Sequence, residues 1–291
     1  MIKFDENDFL KNEDLKKYCT FKVGGSAKFL YVAHSTTNLI EVCKYCKLHN
    51  IKYKIIGLGA NLLFGDNGFD GAIIVNKSNK ILFKNNSVYA DSGCNVTNLI
   101  MKCYLRNLCN FERLAGIPST VGGAVKNNLG AFETTFSDFI EYVECYDLND
   151  LNKKLKLTHD ECEFKYRSSL FKTKDYLITR VKLNLKEDNA DLIKERMMSA
   201  LEKKKSTQPL NYPSAGSVFK RGNIIPAKVI DELGLKSTRI GGAEISTKHA
   251  GFIVNLGNAT SEDVKQLIAL IKERVYTETG ENLEPEIEFV D

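Results

Sequence analysis

The stretch Lys54-Ile55-Ile56-Gly57-Leu58-Gly59-Ala60-Asn61-Leu62-Leu63 decides the fold. A strand runs into a glycine turn, as at the start of a dinucleotide-binding βαβ unit. The last glycine of that fingerprint is missing, because Leu62 stands in its place, and a second strand follows where a long helix is required. A Rossmann domain is therefore excluded. What survives is a turn in which Gly57 and Gly59 carry no Cβ to block close approach. Its backbone N–H groups either face phosphate oxygens or close an ordinary turn between strands.

Two further segments share this character. Leu114-Ala115-Gly116-Ile117-Pro118-Ser119-Thr120-Val121-Gly122-Gly123-Ala124-Val125-Lys126-Asn127-Asn128-Leu129-Gly130-Ala131 holds four glycines and a proline with almost no charge. A surface linker would be more polar, so the composition fits a loop pressed against a large flat ligand, with Ser119 and Thr120 offering hydroxyls. A buried glycine turn packed on a helix has the same composition. Thr20-Phe21-Lys22-Val23-Gly24-Gly25-Ser26-Ala27 again sets paired glycines beside a hydroxyl. Three such segments in the first half of the chain favour a nucleotide cofactor over any reading of one alone.

Working outward, 291 residues suffice for two or three domains, and 43% apolar against 27% charged residues describes an ordinary globular protein. The net charge of +4 is too even, and the lysines too scattered, for a nucleic-acid partner. The N-terminus, Met1-Ile2-Lys3-Phe4-Asp5-Glu6-Asn7-Asp8, is acidic and mixed, without the pattern of a signal peptide. No apolar run reaches the length of a membrane helix, so a cytoplasmic protein is expected. Eight cysteines then read as reduced, small hydrophobes. Cys43 and Cys46 have CxxC spacing but share a helical apolar face with Leu39 and Ile40, and the four histidines lack ligand spacing, so no metal is expected.

Periodicity predicts helices over 36–49 after Ser35, over 95–108 after Asn95, and from Thr260-Ser261-Glu262-Asp263, a capping-box pattern, to Gly280. Short strands are predicted at 52–56, 72–75, 87–90, 142–146, 177–185, 251–255 and 286–290. Helices and strands mixed this irregularly indicate an α+β fold. The polar stretch Lys186-Glu187-Asp188-Asn189-Ala190-Asp191 places a boundary between residues 1–187, in two subdomains with a short N-terminal extension, and residues 188–291.

Three polar residues in loop-like segments suggest chemistry: Arg167 in Tyr166-Arg167-Ser168-Ser169, Ser217 in Ala215-Gly216-Ser217-Val218-Phe219-Lys220, and Glu286 in Leu283-Glu284-Pro285-Glu286. A cation, a hydroxyl and a carboxylate suffice to stabilise a developing enolate and to protonate it. Taken with Thr20–Gly25, Gly57–Leu63, Gly116–Ala124, Ile240-Gly241-Gly242-Ala243 and His249-Ala250-Gly251-Phe252-Ile253-Val254-Asn255, in this order, they make the chain resemble the UDP-N-acetylenolpyruvoylglucosamine reductase family over roughly residues 20–288.

The resemblance implies a vanillyl-alcohol-oxidase (PCMH-type) FAD-binding domain followed by an α+β substrate-binding domain. It implies that Gly57, Leu58, Gly59, Ala60, Asn61 and Leu62 hold the FAD diphosphate. Ser119, Thr120, Gly122, Gly123, Ala124 and Gly130 would contact the rest of the flavin. The FAD is expected to be noncovalent, since residues 57–63 contain no histidine or cysteine. NADPH is the implied reductant and UDP-N-acetylglucosamine enolpyruvate the implied substrate, with the protein expected to be a monomer.

By the same resemblance Arg167 and Glu286 stabilise the enolate and Ser217 donates the proton, with Glu286 acting either by orienting the site or by donating as a neutral acid. Lys220 either polarises Ser217 or joins Arg221 and His249 in binding substrate, and a capping role for His249 stays open beside that. Arg221-Gly222 and Ala60 depart from the family's common Asn-Pro or Arg-Pro and serine. The short interval from Leu185 to Ser217 leaves little room for a tyrosine-bearing lid, which implies the family's shorter class.

Overall fold

Alternating burial explains the main sheet. In strand Ile140–Asp147 the residues Ile140, Val143 and Cys145 are buried, and in Tyr176–Asn184 so are Val181 and Leu183, with polar neighbours between them. These two strands pair antiparallel, and five strands run in the order Asp150–Thr158, Ile140–Asp147, Tyr176–Asn184, Ser87–Asp91, Ile81–Lys84. This computed structural model describes residues 4–291, so the reading made of Met1-Ile2-Lys3 lies outside the described residues.

The chain forms two compact units that interleave in sequence. One comprises the chain up to Phe9, Tyr31–Gly57 and Ile73–Lys204; the other comprises Leu10–Leu30, Leu58–Ala72 and Lys205–Asp291. The five-stranded sheet belongs to the first unit, where α1 (Thr36–Leu48), α2 (Val96–Tyr104) and α3 (Val121–Lys126) also lie. Ser35 Oγ accepts from the Asn38 N–H and starts α1. Leu39, Val42, Cys43 and Cys46 form its buried stripe. Burial pushes both thiols upward, Cys46 to about 12, so they act as hydrophobes.

Asn95 caps α2 as predicted, but the helix ends at Tyr104 rather than at residue 108. Asn107 adopts φ +56°, and Leu108–Cys109 becomes a strand paired with Lys186–Glu187. Leu108 is buried as its apolar character demands, yet through a ladder to residues far along the chain. The same pairing takes up Lys186–Glu187, the start of the polar stretch that marks the expected boundary. Helix α4 (Ala190–Thr207) begins within that stretch, and the units divide later, after Lys204. Met197 and Leu201 of α4 pack into the first unit's core, which carries the helix with that unit.

In the second unit, strands Arg239–Ile240, Ala243–Ile245 and Ile253–Asn255 form an antiparallel sheet, and Leu62–Phe64 pairs parallel with Glu288–Val290. Helices α5 (Pro226–Glu232) and α6 (Ser261–Thr279) cover a core of Phe21, Leu63, Phe219, Ile230, Leu267 and Ile271. The predicted capping box at Thr260 and Asp263 is present, and Gly280 ends α6 at φ +72°. Asp66 adds a second cap, accepting from the N–H groups of Ser261 and Glu262 at 2.7 and 3.1 Å. Helices and strands are mixed irregularly in both units, the α+β fold expected from the sequence.

Candidate active site

Within the second unit, the segment carrying Ser217 runs between two others. Val218 N–H donates to the Gly251 carbonyl (2.9 Å), and Ser217 bridges to Phe252. On the other side Glu286 N–H donates to the Val218 carbonyl (2.7 Å) and Lys220 N–H to the Glu284 carbonyl (2.9 Å). Val218 and Phe219 are buried in the core and anchor the segment, while Ser217 is exposed and Glu286 half-buried. Ser217 and Glu286, far apart in sequence, are thus set on adjoining extended segments.

The Lys220 ammonium pairs with Glu284 rather than with Ser217. That partner is the first glutamate of Leu283-Glu284-Pro285-Glu286. His249 does local structural work: its Nδ1 accepts from the Gly251 N–H at 3.2 Å, its own N–H donates to Ser246 Oγ, and its ring meets Phe252 edge-on at 4.9 Å. Burial, helped by the nearby positive charge of Lys236 and Arg221, holds the imidazole below its ordinary value, so it is neutral at pH 7. The bond to Gly251 leaves Nε2 as the protonated nitrogen. Arg221 is exposed.

Asn61 ties the glycine turn to Glu286. Its Nδ2 donates to the Glu286 carbonyl at 3.0 Å, and its own carbonyl accepts from Glu288 N–H at 2.9 Å. Thr20 joins the same cluster, donating its hydroxyl to the Ser214 carbonyl (2.7 Å) and its N–H to the Gly59 carbonyl (3.3 Å). Asn255, 2% exposed, is the hub: Nδ2 donates to the Phe21 and Lys22 carbonyls, and Oδ1 accepts from Gly257 and Ala259. A buried amide satisfied on every side holds one geometry. Thr20 and Asn255 lie within the Thr20–Gly25 and His249–Asn255 motifs, but a lone hydroxyl or amide there carries no chemical signal until the fold brings its partners together.

Arg167 belongs to the first unit. Lys165 and Ser168 exchange both backbone hydrogen bonds, leaving Tyr166 and Arg167 at the tip of a tight turn with Arg167 at φ +52°. A non-glycine residue there is strained and must be held by its surroundings. Asn128 Nδ2 donates to the Lys165 carbonyl at 3.0 Å and Ser169 Oγ to the Lys126 carbonyl at 2.8 Å, so residues 126–128 carry the turn. The half-buried guanidinium donates through Nη2 to the Gly130 carbonyl at 2.8 Å. A Cβ on Gly130 would lie 3.1 Å from Nη1, so this glycine gives room to Arg167.

The backbone around the expected flavin contacts is used unevenly. At the N-terminus of α3, Val121 donates to Cys94 O, Gly122 to Ser92 O, Gly123 to Thr120 Oγ1 and Ala124 to Thr120 O. Ser119 Oγ donates to the Thr120 carbonyl. The amides of residues 121–124 are thus spent within the protein. Among the described residues, the N–H groups of Leu58, Gly59 and Ala60 make no hydrogen bond within their unit. Three consecutive unspent donors suit an anionic ligand such as a diphosphate, so the residues present fit FAD there.

Packing sets the glycine requirement at this turn. A Cβ at Gly57 would collide with the side chain of Thr120, and one at Gly59 would lie 2.7 Å from Cys19 Cα with φ already at +61°. Gly57→Ala should displace Thr120 from its cap on α3 and cost about 1–3 kcal/mol. Thermal unfolding should show a loss of several degrees, whereas Gly222→Ala, with nothing within 4 Å of its Cβ, should show none. Equal midpoints for the two variants would contradict this packing argument.

Residues 27–150 match the model of the FAD binding domain, and residues 208–290 match that of the UDP-N-acetylenolpyruvoylglucosamine reductase C-terminal domain. A UDP-N-acetylenolpyruvoylglucosamine reductase of Caldicellulosiruptor saccharolyticus is 40% identical over 289 residues, covering 97% of this chain and 92% of that protein. The reductase of Caldicellulosiruptor bescii is 41% identical, covering 97% and 91%. The crystal structure of the Thermus caldophilus UDP-N-acetylenolpyruvylglucosamine reductase (MurB) aligns with a TM-score of 0.82 at 32% identity, covering 95% of this chain and 97% of that one. The FAD-binding domain and the C-terminal domain therefore follow each other in the order expected. By these relatives and this fold, the chain is a flavin-binding oxidoreductase of the UDP-N-acetylenolpyruvoylglucosamine reductase family.

Proposed function

We propose that this protein reduces UDP-N-acetylglucosamine enolpyruvate to UDP-N-acetylmuramate with NADPH, a step in making peptidoglycan precursors. The observation that carries the reading is the pairing of the Ser217 and Glu286 segments, joined through the Val218 carbonyl, in a chain of this family. FAD, bound noncovalently, would supply hydride transfer from NADPH to the methylene carbon of the enolpyruvyl group. Leu58, Gly59 and Ala60 would hold its diphosphate, with Gly57, Asn61 and Leu62 shaping the turn. Ser119, Thr120, Gly122, Gly123, Ala124 and Gly130 would line its remainder.

The chain's own residues then act on the substrate. Arg167, permanently charged and forked, binds the carboxylate on which enolate charge develops. Ser217 gives its hydroxyl proton to the carbon next to that carboxylate. Glu286, whose backbone is held at both its N–H and its carbonyl, orients the site. Lys220, paired with Glu284, and exposed Arg221 are assigned to substrate binding, and His249 orders the loop facing Ser217. FAD is assigned mainly to the N-terminal part of the chain and substrate to its C-terminal part, in a cytoplasmic monomer of the shorter class. Among the described residues, no helix is long and apolar enough to cross a membrane.

The test is spectroscopic. Purified protein loaded with FAD should lose its visible absorbance on anaerobic addition of NADPH and regain it on addition of UDP-N-acetylglucosamine enolpyruvate. Recovery only with oxygen, together with turnover of an alcohol, would point instead to an oxidase built on the same flavin fold. Protein that takes up no FAD would refute the enzymatic reading.

A further inference from the structure

Lys204 is buried where the proposed chemistry has no use for it. It is 4% exposed, its Nζ donates to the Ala115 carbonyl, and that nitrogen lies 5.6 Å from the centre of the Phe132 ring. Lys203 approaches the same ring at 5.6 Å. One turn earlier in α4, Leu201 fills the space that a Cβ on Gly116 would need. The end of α4 therefore grips residues 115–116 and Phe132 together. Burial lowers the ammonium to about 8, which still leaves it mostly cationic at neutral pH and able to attract a ring face.

Phe132 occupies an unusual position. Phe132 and Glu133 form the two-residue turn between Gly130–Ala131 and Thr134–Thr135, with φ +51° and +61°. Asn-Gly or a similar pair is the usual occupant of such a turn, since side chains crowd the backbone at positive φ. A phenylalanine there must be held by contacts elsewhere, and the lysine pair on its ring supplies them. At the foot of the same hairpin lies Gly130, whose carbonyl accepts from Arg167.

We propose that Lys204 is a positioning residue for Arg167: by seating Phe132 and the Ala115 carbonyl, it fixes the hairpin whose Gly130 carbonyl aims the guanidinium. The inference rests on the reading that Arg167 binds the substrate carboxylate. Lys204→Met keeps the stem and removes the charge, Phe132→Leu keeps apolar bulk and removes the ring face, and Phe132→Tyr retains it. Calorimetric titration of the FAD-loaded enzyme with UDP-N-acetylglucosamine enolpyruvate, without NADPH, reads the effect apart from turnover.

Lys204→Met and Phe132→Leu should each weaken binding by about 5- to 30-fold, and Phe132→Tyr should restore it to within about twofold of the parent. In an Arg167→Ala background neither should weaken it further by more than about twofold, because the group they position is gone. Full additivity with Arg167→Ala overturns the inference, as does unchanged binding in both single variants. If Lys204→Met does not fold, Phe132→Leu decides by the same criteria. Arg167→Ala that binds substrate like the parent would sink the reading of Arg167 itself and this inference with it. Weakened binding in Arg167→Ala alone would sink only the inference.

Discussion

Ser217→Ala is expected to take up FAD and to be bleached by NADPH at the parent's rate, yet to be reoxidised by substrate roughly 10²–10⁴-fold more slowly. The substitution removes one exposed hydroxyl and leaves the hydrogen bonds of its segment untouched, because those run through the backbone of Val218 and Lys220. Stability should accordingly change by no more than about 0.5 kcal/mol. The two half-reactions, followed separately by stopped-flow absorbance, make the assignment specific. A variant slowed in its reduction by NADPH but normal with substrate would show that Ser217 is not the proton donor. Cysteine at this position keeps a dissociable proton and should recover part of the lost rate.

Arg167→Ala should lower kcat/KM for the enolpyruvyl substrate by roughly 10²–10³-fold, the usual loss when one preorganised donor to developing charge is removed. Arg167→Lys should recover little of it, since an ammonium lacks the planar fork that matches a carboxylate. Alanine at φ +52° is no less strained than arginine, so the turn gains nothing from the change. The folded state loses the hydrogen bond to the Gly130 carbonyl, worth about 1 kcal/mol. Activity should therefore collapse while the unfolding midpoint moves by only a few degrees. A loss of stability as large as the loss of rate, with FAD released, would make Arg167 a structural residue.

Elements closed by their own neighbours could be read directly. Helix α6 is bracketed by a Thr260–Asp263 box and a left-handed Gly280, and α1 by Ser35, all signals within a few residues of the helix they bound. Seven strands were legible as short apolar runs between turns, with ends off by one to three residues, whereas Leu10–Asp14, Ser26–Ala33 and Asp150–Thr158 carried too little regular apolar alternation to be read. The prediction of one helix over 95–108 failed because Leu108 is apolar at helical spacing, and only its ladder to Glu187 makes it a strand residue. Lys220 stands near Ser217 in sequence, but in extended chain residues three apart point to opposite faces, and Glu284 is the group within reach.

By itself the sequence determined the α+β class, the exclusion of a Rossmann fold, and the ordered motifs that mark the family. These depend on turn chemistry, periodicity over whole segments and residue types at set spacings, all of which are local to the chain. Only the tertiary structure decided that Leu10–Leu30 and Leu58–Ala72 fold with the C-terminal residues, that Asn61 holds the Glu286 backbone, and that Asn255 gathers Phe21 and Lys22. It also decided that Gly130 makes room for Arg167 and that Gly57 makes room for Thr120. Each of these rests on groups between 37 and 234 residues apart, meeting at hydrogen-bond or van der Waals distance. Such contacts leave no period in the chain, because what selects them is the burial of side chains and backbone polar groups that only the folded whole brings together.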